Sequence, residues 1–225
     1  MNRSKVLRTF ALSSVLLIML CGCGKSKDNA ENTTTTASVA DSASDDFPSS
    51  DEMLADKFKG VTASSFGPKL KISDTKVKAG EIAEVTLSVS ETNESWNACG
   101  LHLTFPSELK CVHKSADTQD VKFRLGDASE GSGGSIALEW EENLPEELTS
   151  KGLGSIFFTT IFAENGFDGD IATFYFEVPQ DAQPGTVYPF GFYYLTNDIF
   201  KSVDGDDAYQ LFAFTNWQGG TVTVE

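Results

Sequence analysis

The sequence predicts an all-β fold over residues 68–225, with two packed sheets in an antiparallel sandwich of jelly-roll topology, about nine strands and one short helical turn. Three observations predict it. Runs rich in Val, Ile, Thr, Phe and Tyr recur at short intervals, and Gly, Pro, Asn and Asp separate them. Within most runs, apolar and polar residues alternate with the period of two that a half-buried strand imposes. The 225 residues also include 17 Phe, 5 Tyr and 3 Trp, enough large apolar side chains for a core and too many for a disordered chain.

Strands are expected near 70–77, 83–90, 98–105, 109–114, 135–142, 155–164, 170–178, 187–196 and 219–224, with a short piece at 121–125. In the third, Cys99, Leu101, Leu103 and Phe105 share the inward face, opposite Ala98, Gly100, His102 and Thr104. In the fifth, Ile136, Leu138 and Trp140 are expected inward and Ala137, Glu139 and Glu141 outward. The sixth is apolar on both faces, with Phe157, Thr159, Ile161 and Ala163 against Ile156, Phe158, Thr160 and Phe162. Such a strand lies beneath a loop or forms part of a binding surface. Between the fifth and sixth, Asn143-Leu144-Pro145-Glu146-Glu147 supplies an N-cap, an early Pro and first-turn acids, and Gly152 and Gly154 follow as stops.

The residues before the sandwich have a different composition. Residues 1–22 carry Arg3, Lys5 and Arg8 but no acid, then an apolar run from Phe10 to Leu20. That run is too short for the roughly 20 residues of a membrane span and reads as an export signal. Leu20-Cys21-Gly22-Cys23 resembles a bacterial lipobox, which makes Cys23 the expected acylated N-terminus; an ordinary signal-peptide cleavage site is the alternative. Residues 23–67 are then the lipidated Cys and a flexible Ser/Thr/Asp-rich tether, too polar to offset the entropy of ordering. The expected location is the outer face of a bacterial membrane, held by lipid.

The formal charge is −16, and residues 68–225 carry 25 acidic against 10 basic residues. Nucleic acid and anionic lipid headgroups are therefore excluded as partners, because phosphate recognition needs clustered Lys and Arg.

The order of motifs across 68–225 resembles a cohesin module. Leu70-Lys71-Ile72 and Val77-Lys78-Ala79-Gly80-Glu81 lead into Val85-Thr86-Leu87-Ser88-Val89. Cys99 through Leu109 follows, without the Asp that the family usually places before Pro106. Then come Ile161-Phe162-Ala163-Glu164-Asn165, Ala172 through Pro179, Pro184-Gly185-Thr186 and Gly219-Gly220-Thr221-Val222-Thr223-Val224. A single such module on a lipoprotein tether is similar to the divergent cohesins of ruminococcal systems. The resemblance implies a non-catalytic receptor, monomeric by itself, that binds dockerin-bearing proteins, with calcium in the dockerin and no cofactor of its own. It also implies a binding face made of Gly100, His102 and Thr104 on the third strand, Ala137 and Glu139 on the fifth, and Thr159, Ile161 and Ala163 on the sixth. Glu164, Asn165 and Ile199 complete it. Ile161 and Ile199 would form its centre, and Glu139 and Glu164 its charged rim.

Other chemistry is sparse. Cys99 and Cys111 both fall on the inward phase, and either a disulfide across the core or two buried thiols fits that placement. No nucleophile–His pair, phosphate loop or metal-ligand spacing is present. Asp168-Gly169-Asp170 and Asp204-Gly205-Asp206-Asp207 lack the full spacing of a calcium loop. The alternative function is carbohydrate binding, for which Trp96, Trp217, Tyr193 and Tyr194 are the available stacking residues.

Overall fold

A computed structural model describes residues 66–93, 96–139, 144–162, 164–195, 197–202 and 207–225. The expected leader, Cys23, the tether up to residue 65, Trp140 and Ala163 lie outside the described residues. In chain order the elements are β1 (Lys69–Ile72), β2 (Thr75–Val77), β3 (Ile82–Ser90), β4 (Trp96–Pro106), β5 (Lys110–Cys111), β6 (Phe123–Leu125) and β7 (Gly134–Glu139). After these come helix α1 (Glu146–Thr149), β8 (Leu153–Ile161), β9 (Gly169–Glu177), β10 (Val187–Phe192), β11 (Ile199–Ser202), helix α2 (Asp207–Thr215), β12 (Trp217–Gln218) and β13 (Gly220–Val224).

These strands form two sheets. One runs β12-β1-β3-β9-β5, with β6 also on β9; the other runs β2-β13-β10-β4-β8-β7, with β11 also on β4. Pairing is antiparallel, as expected, except for β1 with β12 and β2 with β13, which are parallel. The single strand expected at 70–77 is in fact two strands in different sheets. The chain crosses between them at Ser73-Asp74, where the backbone of Gly220 passes so close to the Ser73 carbonyl that a Cβ would collide. The hydroxyl of Thr221 donates to Asp74 Oδ1 at 2.9 Å and holds the crossing.

Alternation puts Ala83, Val85, Leu87 and Val89 of β3 against Cys99, Leu101, Leu103 and Phe105 of β4, all buried. Aromatic rings fill the space between. Phe158 packs edge-on to Phe174 at 5.5 Å between centroids, and Phe176 edge-on to Phe190 at 4.9 Å. Each such ring contributes roughly 1.5–3 kcal/mol by leaving water. Trp96 is wholly buried, stacked on Phe200 at 5.1 Å, with its indole N–H donating to the Phe167 carbonyl at 3.1 Å.

Two further expectations are corrected. The strand expected at 109–114 lies on β9 at Lys110 and Cys111, with Val112 N–H donating to the Tyr175 carbonyl, and beyond that His113 bridges Val121 instead. The segment after it turns across the sandwich edge, where Val121 N–H donates to the Ala137 carbonyl and Glu139 N–H to the Gln119 carbonyl, both at 2.9 Å. The outer edge of β7 is therefore paired. Helix α2 falls in a stretch with no predicted helix: Tyr209, Ala213 and Phe214 are buried and Leu211 packs against the core, so it lacks the polar face that reveals a surface helix.

Candidate functional site

Cross-strand partners in register point to the same side of a sheet, so the outer face of the second sheet can be assembled row by row. One row is Lys201 (β11), Ala98 (β4), Ile161 (β8) and Gly134 (β7). The next is Ile199, Gly100, Thr159 and Ile136, and the third is His102, Phe157 and Leu138. Ile161 is 59% exposed and Ile136 51%, while Ala98, Phe157, Thr159, Leu138 and Ile199 are half-buried. The rows make a contiguous aliphatic strip open to solvent. Glu164 and Asn165, where β8 ends, are exposed beside it.

At the other end the face is covered. Leu148 of α1 packs with Leu153, Leu144 and Tyr193 in a small separate cluster. The Tyr193 hydroxyl donates to Glu147 Oε2 at 2.9 Å; burial first, and then that carboxylate, push the phenol up to about 12. Thr104 and Ser155 are buried at this covered end.

The inward–outward assignment of β7 is reversed. Ala137 is fully buried in the core opposite Phe158, and Ile136 and Leu138 face outward. Glu139, on the same side as Ala137, is half-buried, and its Oε2 lies 2.8 Å from His113 Nε2. Ala137 and Glu139 therefore do not stand on the outer face, and the aliphatic residues expected in the core take their place.

His102 is a second correction. It keeps the outward phase but is only 7% exposed, and its Nδ1 lies 2.7 Å from Oδ1 of Asp198, itself 1% exposed. β10 pairs with β4 through Leu103 and Thr104, and β11 pairs with it from Gly100 onward, so the ladder is interrupted opposite His102. Tyr193 N–H donates to the His102 carbonyl at 3.0 Å, and Asp198 closes the gap. Its carboxylate accepts from Leu195 N–H at 3.1 Å and from the His102 backbone amide. Its own carbonyl accepts from Gln210 Nε2 of α2 at 2.8 Å, and that nitrogen also donates to the Tyr194 hydroxyl at 3.1 Å. Burial raises the Asp198 carboxyl above the ordinary aspartate range, opposed by the hydrogen bond from His102. Sequence could not pair these two residues, which stand 96 positions apart.

Of the other expected contacts, Gly100 and Thr159 lie on the open rows, and the Thr159 hydroxyl donates to the Cys99 carbonyl at 2.8 Å. Cys99 and Cys111 are buried as thiols in opposite sheets. Of the stacking residues available for sugar, Trp96 and Tyr194 are buried, and Trp217 packs edge-on to Phe192. They do not form an exposed aromatic strip. Among the described residues, no group of three or more His, Cys, Asp or Glu is placed to hold a metal, and no helix is long and apolar enough to cross a membrane.

The two-sheet fold is that of a cohesin module. The chain is similar to a type III cohesin module from the cellulosomal cell-surface anchoring scaffoldin ScaE of Ruminococcus flavefaciens, at a TM-score of 0.57 and 24% identity over 72% of this chain and 89% of that one. It is also similar to the Coh-OlpC-Doc435 complex, a type I cohesin–dockerin complex from Clostridium thermocellum, at a TM-score of 0.50 and 14% identity over 74% of this chain and 98% of that one. At these identities the likeness is one of fold. No protein-family model and no curated protein matches the sequence.

Proposed function

We propose that the chain is a non-catalytic receptor whose outer sheet face captures a dockerin-bearing protein, and that residues 1–67 export it and hold it by lipid on Cys23 to the outer face of a bacterial membrane. The observation that carries the reading is the open strip of Ile136, Ile161 and Ile199 on adjoining rows. It lies on a fold for which a cohesin–dockerin complex is known. Contiguous exposed aliphatic area on a paired, rigid sheet suits a partner's apolar side chains, and the neighbouring Glu164 gives a polar rim. The half-covered end under α1 limits where a partner can lie.

The test sets a panel of dockerin modules against affinity electrophoresis in soluble and insoluble polysaccharides. Dockerin capture without polysaccharide retardation is expected; retardation without capture would leave carbohydrate binding as the function. Ile161→Asp should weaken capture at least tenfold, as about 1.4 kcal/mol or more is typical for a central contact, while the thermal midpoint stays within 2 °C or so of the parent.

A further inference from the structure

His102 and Asp198 do more than fill a gap in the ladder. The chain leaves β4 after Tyr193, whose N–H still donates to the His102 carbonyl, and returns to β4 as β11, with Ile199 paired to Gly100; Tyr194, Leu195, Asn197 and Asp198 are the described residues of this excursion. Where it returns depends on what holds the excursion. Its one acidic residue, Asp198, is fastened by its carboxylate to β4 through His102 and to Leu195 N–H, and by its backbone carbonyl to α2 through Gln210. The imidazole also packs on Phe157 of β8, with ring centroids 4.9 Å apart, in the row next to that of Gly100 and Ile199. Gly100 leaves room there: a Cβ at that position would just touch Ile199 and Phe157 at 3.5 Å.

We propose that the His102–Asp198 pair is the positioning device of the docking face, fixing Ile199 in the Gly100 row without touching the partner itself. The inference rests on the docking reading for its functional meaning, but its structural content does not need a partner. With both side chains buried, neither can meet a ligand, so any effect on capture passes through Ile199 and Phe157. Losing the carboxylate would loosen Ile199 at one edge of the strip and leave β7 and β8, with Ile136 and Ile161, in place, because those strands are held by their own ladder.

The experiment uses the full chain carrying labelled isoleucine δ1 methyls, compared as wild type, Asp198→Ala and Asp198→Asn. In Asp198→Ala the Ile199 methyl resonance should shift or broaden while those of Ile136 and Ile161 hold. Asp198→Asn keeps an acceptor for His102 but turns a donor toward Leu195 N–H, so it should return Ile199 most of the way, not fully, to its parent position. Against the dockerin that wild type captures, Asp198→Ala should bind about tenfold more weakly and Asp198→Asn within about threefold of wild type. An unmoved Ile199 methyl, equal movement of all three methyls, or unchanged capture in Asp198→Ala would each overturn the proposal. If wild type captures no dockerin, the docking reading fails, and the methyl spectra still decide whether the pair positions Ile199.

Discussion

Asp168 shows how a single carboxylate can fix a loop. It accepts from Glu91 N–H and Thr92 N–H, both at 2.9 Å, and from the Thr92 hydroxyl at 2.6 Å. The loop it holds contains Glu91 at φ 61° and Asn93 at φ 49°, left-handed conformations that non-glycine residues adopt only when their surroundings insist. Partial burial alone would raise the Asp168 carboxyl, but the three donors outweigh it and hold the group below the usual value of 3.8. A depressed carboxylate stabilises the fold above its unfolded pKa, and that stabilisation fades as pH falls through the folded one. Asp168→Asn should therefore cost about 1 kcal/mol in urea unfolding at pH 7, a figure kept small because the carboxylate is solvent-exposed. The two unfolding curves should converge as pH falls below 3.8; a gap that persists at pH 2 would mean the charge is not what holds the loop. Cys99 represents the opposite environment. Burial pushes its thiol up to about 12, so it should resist alkylation at pH 8 in the folded chain and react once urea is added. Peptide mapping that found Cys99 modified at equal rates in both states would contradict its placement in the core.

At the scale of elements, what could be read from sequence depended on whether each face had one unambiguous destination. β3 was legible because its apolar residues alternate with exposed or half-buried polar ones, and β4 because Cys99, Leu101, Leu103 and Phe105 keep a strict period of two, although His102 and Thr104 between them are buried. β7 misled because its outward residues, Ile136 and Leu138, are larger and more apolar than the inward Ala137 and Glu139. Alternation reports that two faces differ, but not which is inside when the outer one is aliphatic and the inner acid is paired with His113. Helix α2 left no readable period because both of its sides pack, and the His102–Asp198 pair depends on a ladder interruption that only the register reveals. Helix α1 was legible for the opposite reason, since Pro145, the two acids and Gly152 mark its ends locally. Four residues cannot sustain a helix alone, so α1 persists through Leu148 and Tyr193. Leu148→Ala should cost about 2–3 kcal/mol and accelerate amide exchange at 146–149 while β3 and β9 stay protected. Uniform acceleration across both sheets would show that α1 is part of the global core rather than a cover on one face.

The whole molecule adds a field that no single residue carries. Residues 68–225 hold 25 acids against 10 bases, so their net charge is negative by 15, while the rows of the open strip hold no acid and are apolar apart from Lys201, Thr159 and the buried His102. Charge of this kind does little for the contact energy of the apolar strip, because no acid stands in its three rows. It acts before contact, drawing in a partner with basic residues and turning it as it approaches. That separation has a kinetic signature. On the docking reading, raising salt from 0.05 to 0.5 M shortens the Debye length from about 14 to about 4 Å and should slow association with a basic-rimmed dockerin by roughly tenfold. Dissociation, which requires the aliphatic strip to be re-exposed, should change by less than about twofold over the same range. Surface-immobilised partner and stopped-flow mixing can measure both rates. A dissociation rate that climbs with salt while association stays flat would place the acids inside the interface, and the strip of Ile136, Ile161 and Ile199 would then not be its centre.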